Sequence, residues 1–322
     1  MSAARLNVAL AGALVVALAL SLLAGKIWVP WEAWGSGDPR WLIVLELRLP
    51  RTLLAAIVGA GLGCSGAAMQ GYLRNPLADP GLFGVSAGAA LGAVVSLYFG
   101  YAASAWLLPG FALTGAAATM AILALLVGRS GSVMVFTLAG VILSSIAGSM
   151  TALAISLAPS PFVTAQIVTW LMGALTDRSW ADVWLALPLV GAGLMLLALT
   201  ARMLDALTLG ESVARSMGVD PARLQLLVVA GVALCVGATV ATAGIIGFVG
   251  LIVPHLVRPF VGHRPSAILL PSALGGAVLL LLADSLVRAV PTVSEVRLDI
   301  AMSMLGGPFF LALLVRMRRG LA

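Results

Sequence analysis

Few side chains in this sequence can do chemistry, and they do not gather into a catalytic or metal-binding set. Two histidines, two cysteines and 12 acidic residues are the supply of strong metal ligands. His255 stands in VPHL and His263 in GHRP, with no Cys, Asp or Glu between them. Neither has the partners that a metal or haem site needs, so ligation is a weak reading of both. Cys64 and Cys235 sit in the small-residue runs GLGCSG and ALCVGA, where a thiol is packing material rather than half of a disulfide. The sequence offers no nucleophile–base set and no Walker sequence, so it does not read as an enzyme, and any ATP hydrolysis belongs to another polypeptide.

Charge concentrates instead in one polar stretch, DALTLGESVARSMGVDP, residues 205–221. Glu211 and Arg215 are spaced i,i+4, which lets them pair on one helix face. Gly210 precedes this short helix, and Gly218 can end it in the left-handed conformation. A polar helix between two long apolar segments has little to bury in lipid and reads as a handle for a soluble partner. Elsewhere, Arg48 and Arg51 flank ELRLPRTL and Arg297 lies in SEVRLD. Guanidinium stays charged and grips carboxylates in two places. Asp284, the one clear intramembrane acid, stands four residues before Arg288, a spacing that favours a structural ion pair over a transport site. In RNPLADP, Asn75-Pro76 and Asp79-Pro80 force a non-helical break.

The elements that hold these residues follow from composition. The chain has 322 residues, 61% of them hydrophobic and 9% charged, with a mean hydropathy of +1.13. That excludes an ordinary soluble surface and specifies an all-α polytopic membrane protein. At about 20 apolar residues per span, ten spans are expected, at roughly 6–25, 51–72, 82–99, 107–127, 133–157, 183–201, 222–242, 244–256 onward, 267–287 and 298–315. Residues 158–182 read as a loop with a short interfacial helix. Trp28, Trp31, Trp34 and Trp41 mark a membrane–water interface after the first span, and Gly59, Gly63 and Ala67 give the second span a small-residue face. The net charge of +6 is topological rather than a sign of nucleic-acid binding. Eleven of the 18 basic residues lie on the side that holds both termini and the polar stretch, which places that side in the cytoplasm. The whole chain, 1–322, reads as one transmembrane domain with its handle at about 205–221. An ion-coupled secondary transporter acting alone is the rival class, but such proteins usually place acids or broken helices at mid-membrane.

Four blocks carry a resemblance. LRLPRTLLAAIVGAGLGCSGAAMQGYLRNPLADPGLFGVSAGAALGA (47–93), LGESVARSMGVD (209–220), GFVGLIVPHLVRPFVGHRPSAILLPSALGGAVLLLLADSLVR (247–288) and LGGPFFLALL (305–314) resemble the FecCD family, the permease subunits of type II ABC importers for ferric siderophores, haem and vitamin B12. The resemblance implies a functional homodimer in the bacterial inner membrane, two copies of a cytoplasmic ABC ATPase that carry ATP and Mg, and a periplasmic substrate-binding protein. No cofactor is implied for this chain. It further implies that Gly210, Glu211, Arg215, Gly218 and Asp220 couple to the ATPase and that Arg48, Arg51 and Arg297 dock the binding protein. Asn75, Leu77, Ser130 and Ser132 would form a cytoplasmic gate, with Ser145, Ser149, Met150, Met302 and Ser303 lining the path. The cargo would be an iron chelate, haem favoured over siderophore or cobalamin. One departure stands out: where the family often reads Glu-Leu-Pro-Val/Ile-Gly entering its last span, this chain has SEVRLDIAMSM.

Overall fold

The structure, a computed structural model, describes residues 3–101, 104, 106–128, 133–291 and 295–319. Among these, 13 helices follow one another, with no strand and a single parallel bridge, Met172 to Ile245. They are α1 (Ala3–Leu23), α2 (Arg40–Leu73, with a π-helical stretch at Ile43–Arg48), α3 (Val85–Tyr98), α4 (Leu107–Val127) and α5 (Val133–Ser156). Next come α6 (Pro161–Leu171), α7 (Trp180–Leu199), α8 (Ala201–Leu207) and α9 (Glu211–Ser216). The last four are α10 (Pro221–Ala243), α11 (Val249–Val261), α12 (Pro265–Ala289) and α13 (Leu298–Arg319). Each expected span coincides with an apolar helix. Seven are long enough to cross a bilayer by themselves, and α3, α11 and α13 are shorter apolar helices. The short helix expected within 158–182 is α6, started by Ser160, whose hydroxyl accepts from the Val163 N–H at 3.3 Å.

The core is built around α2, of whose apolar window 78% is buried, against 17% for α1 and α5. Lipid supplies no hydrophobic drive between helices, so association rests on close van der Waals approach. Glycine provides it here. A Cβ on Gly59 or Gly63 would run into the backbone of Gly276 and Ser272 in α12, and one on Gly66 would overlap the Gly250 carbonyl in α11. The small-residue face expected of α2 is therefore its contact with α11 and α12.

The helix ends define two polar layers. At the tryptophan end, the rings of Trp28, Trp31, Trp34 and Trp41 form a chain with centroids 6.2, 5.5 and 5.4 Å apart. At the handle end lie the turn 74–81, α8, α9 and the α11–α12 turn.

Candidate functional site: the polar handle and the opposite mouth

The handle starts where α8 is pinned. The Asp205 carboxylate accepts from the Ser266 N–H at 2.9 Å and its hydroxyl at 2.6 Å, tying α8 to the start of α12. The chain then reverses at Gly210, whose φ of 102° is open only to glycine at low cost. After the six residues of α9, the Val219 N–H bonds to the Ala214 carbonyl and the Gly218 N–H to that of Arg215, both at 3.0 Å, with Gly218 at φ 84°. This is a Schellman stop, the ending expected of Gly218. Asp220 then accepts from the Ala222 N–H at 2.9 Å and caps α10, with Pro221 in its first turn.

Ala214 is buried against the body, while Ser212, Val213, Arg215, Ser216 and Met217 face outward. Leu209, Val213 and Met217, four residues apart, are 62%, 40% and 60% exposed. They leave an apolar strip along the outer side of the handle that the body does not cover. The expected Glu211–Arg215 pair does not form: Glu211 stands 3.8 Å from Arg74. Arg74 is the left-handed C-cap of α2 (φ 51°), which brings its side chain within reach of the handle. The handle is therefore linked to the central helix, a connection that the local spacing could not reveal.

In the adjoining turn, Asn75 is exposed and its side chain accepts from the Leu77 N–H at 3.0 Å; Leu77 is half-buried. Burial raises the Asp79 carboxyl above its ordinary range, against the opposing bond from the Gly81 N–H. Ser130 and Ser132 lie outside the described residues. Behind the turn, Gln70 accepts from Arg258 at 2.7 Å and donates to the Gly250 carbonyl at 3.3 Å. Gln70 and Arg258 do not stand out in the sequence, where nothing local pairs them.

Along the expected path, Ser145, Ser149 and Met150 are exposed on α5, and Ser303 is exposed on α13. Met302 is corrected: it is 0% exposed and belongs to the core, because one step along a helix turns the side chain by about 100°.

The opposite mouth changes the reading of two arginines. Arg48 and Arg51, expected to face a soluble partner, are 7% and 9% exposed. Arg48 donates to the carbonyls of Leu22, Leu23 and Ile27, stapling the end of α1. Arg51 grips Asp284 from Nε and Nη2 at 3.0 and 2.8 Å and meets Glu295 at 2.9 Å. Asp284 also meets Arg288 at 3.0 Å, the i,i+4 pair read from the sequence, and Arg288 donates to Ser21 at 2.6 Å. A buried charge is costly unless paired, and here Asp284 and Glu295 pair with Arg51 and Arg288 in a cluster that joins α1, α2 and α12. Glu295 extends it by accepting from the Thr176 hydroxyl at 3.0 Å. Burial acts to raise the Glu295 carboxyl, but Arg51, Thr176 and Arg288 together hold it below the ordinary glutamate range. Arg48 and Arg51 line one cavity with Arg288 and Glu295, and Arg297 lines the neighbouring one beside α6. Asp299, in the segment that departs from the family pattern, accepts from the Gly247 N–H at 3.1 Å.

His255 stacks edge-on against Phe309, with centroids 5.9 Å apart. Cys64 and Cys235 are buried free thiols.

The fold is a polytopic bundle of apolar helices with one charged, exposed handle beside the end of its central helix. The chain belongs to the FecCD transport family, whose model matches residues 13–316. It is similar to the uncharacterized ABC transporter permease protein YvrB of Bacillus subtilis, at 38% identity over 95% of this chain and 92% of that one. The hemin transport system permease protein HmuU of Yersinia pestis is 38% identical over 93% of this chain and 90% of its own. The vitamin B12 import system permease protein BtuC of Citrobacter koseri is 37% identical over 95% and 92%. A solved inward-facing structure of a putative metal-chelate type ABC transporter superposes with a TM-score of 0.89 at 31% identity, covering 97% of this chain and 99% of the other. The chain is a multi-pass permease subunit of an ABC transporter.

Proposed function

We propose that this permease forms the transmembrane path of an ATP-driven importer that moves an iron chelate across the bacterial inner membrane. Haem is favoured over ferric siderophore or cobalamin. Two copies form one path, two copies of a cytoplasmic ABC ATPase bind below, and a periplasmic binding protein delivers cargo from above. In this reading both termini and α9 are cytoplasmic. Names of relatives that carry hemin and vitamin B12 support the cargo class.

The carrying observation is the handle. Its outer face presents Leu209, Val213 and Met217, while its inner side is seated on Ala214 and linked to α2 through Glu211 and Arg74. Such a helix can pass the closing motion of a soluble motor to the membrane core. The test uses the permease reconstituted with its ATPase and binding protein in proteoliposomes. Glu211→Leu and Gly218→Leu are expected to keep ATPase activity while cargo uptake per ATP falls. Uptake still tightly matched to hydrolysis in both variants would refute the coupling role. Uptake that follows an ion gradient without ATP would replace the reading with a secondary transporter.

A further inference from the structure

At the tryptophan end, an open cavity of about 470 Å³ lies between α6, the segment 172–178 and the approach to α13. Its volume falls in the range of small-molecule sites, about 300–1,000 Å³. Its lining combines the apolar Phe162, Trp170 and Met172 with the polar Gln166 and Thr169 and the basic Arg178 and Arg297. Asp177 is the one acid among the lining residues, so the hollow is net positive.

The backbone that carries Arg178 is held on both sides. Asp177, just before it, has the left-handed φ of 58°, an uncommon conformation for a residue with a Cβ. Thr176 on one side is bonded to Glu295. On the other side, Ser179 and Asp182 form the capping box of α7. Yet Arg178 is incompletely satisfied. Its ion contact is with Asp182 at 3.9 Å, and its Nε is buried without a hydrogen-bond partner. Arg297 has no carboxylate within salt-bridge distance among the described residues. Burial depresses the ordinary pKa of Arg178; Asp182 and Asp177 oppose this, and the charge of Arg297 adds to it. Two like charges around one hollow are complementary to an anion, and a fork of N–H groups fits a carboxylate best.

We propose that this cavity is a cargo subsite for a metal chelate bearing free carboxylates, gripped by Arg178 and Arg297, with its apolar body against Trp170 and Phe162. The inference rests on the importer reading and narrows it, since haem carries free propionates whereas cobalamin's side chains are amides. The occupant is cargo rather than an acidic side chain of a docked protein, because the hollow is far larger than one carboxylate and includes large apolar side chains in its lining.

The test is direct binding to the full permease in lipid nanodiscs, followed by porphyrin absorbance, with iron(III) mesoporphyrin IX and its dimethyl ester as probes. Esterification removes both carboxylate charges and with them two charge-assisted hydrogen bonds, which predicts about tenfold or greater preference for the diacid. Arg178→Gln with Arg297→Gln is expected to erase that preference and leave the diester unaffected. Because Arg178 also meets Asp182, Arg297→Gln alone serves as the variant that breaks no ion pair, and it is expected to weaken the diacid severalfold. Equal affinity for the two probes, or a diacid affinity that neither variant changes, overturns the proposal. So does an Arg297→Gln variant that weakens only the binding-protein complex. A wild-type assembly that binds the diacid in this way but takes up no chelate with ATP would overturn the importer reading and leave the subsite standing.

Discussion

Asp284 is 1% exposed and meets two guanidinium groups, Arg51 at 2.8 Å and Arg288 at 3.0 Å. Removing its charge leaves two buried cations facing each other. Asp284→Asn is therefore expected to destabilise the permease by about 3–5 kcal/mol, read as a lower melting temperature in detergent and a lower folded yield. A wild-type melting temperature would show that the cluster is solvated. Glu295 gives the same cluster a pH dependence. Its folded pKa is depressed, so its contribution is present above the ordinary glutamate range and is lost as pH falls through the depressed folded value. The gap in melting temperature between wild type and Glu295→Gln should be present at neutral pH and close below about pH 4, where free glutamate protonates. A gap unchanged on the acid side would remove Glu295 from the cluster. Only part of this was legible beforehand. The Asp284–Arg288 spacing is local and visible in sequence. The Arg51–Asp284 bond spans 233 residues, and no periodicity reports a partner on another helix. That is why Arg48 and Arg51 read as surface residues when they are internal staples.

Helices were legible where a local rule sets them. Apolar runs marked the spans and Gly218 marked a stop. Their crossings were legible only in part: the Gly59–Gly63–Ala67 face announced a close contact but not its partners. Two glycines with opposite surroundings test how far this packing depends on them. At Gly66 a Cβ would overlap the Gly250 carbonyl, whereas at Gly191, in the exposed face of α7, nothing lies within 4 Å. Gly66→Ala should force α2 and α11 apart and cost at least the ~1–3 kcal/mol typical of overpacking, seen as a large fall in melting temperature. Gly191→Ala should leave stability unchanged or slightly raised, since alanine is the better helix former. Equal behaviour of the two variants would mean that the α2–α11 contact yields without cost. The same reasoning explains the misplaced Met302. The family resemblance marked α13 as a lining helix, but which side faces the core depends on its neighbours.

At the scale of the whole molecule, α2 is enclosed while α1 and α5 are left largely uncovered, with 17% of each apolar window buried. Lipid can cover a purely apolar face. The exposed face of α5 also carries Ser145 and Ser149, and α13 exposes Ser303; exposed hydroxyls are poor neighbours for hydrocarbon and good ones for a water-filled path. In the proposed dimer these faces meet around that path. The chain is well suited to a test, because its two cysteines, Cys64 and Cys235, are 4% and 0% exposed and should be silent toward a polar thiol reagent. Ser149→Cys introduces one reporter on the α5 face. In the reconstituted transporter it should react with a membrane-impermeant maleimide, and the rate should change severalfold when a non-hydrolysable ATP analogue holds the ATPases closed. Labelling insensitive to nucleotide would separate α5 from the moving path. Labelling only by a lipid-soluble maleimide would place Ser149 against the bilayer, and the two-copy path built on that face would have to be abandoned.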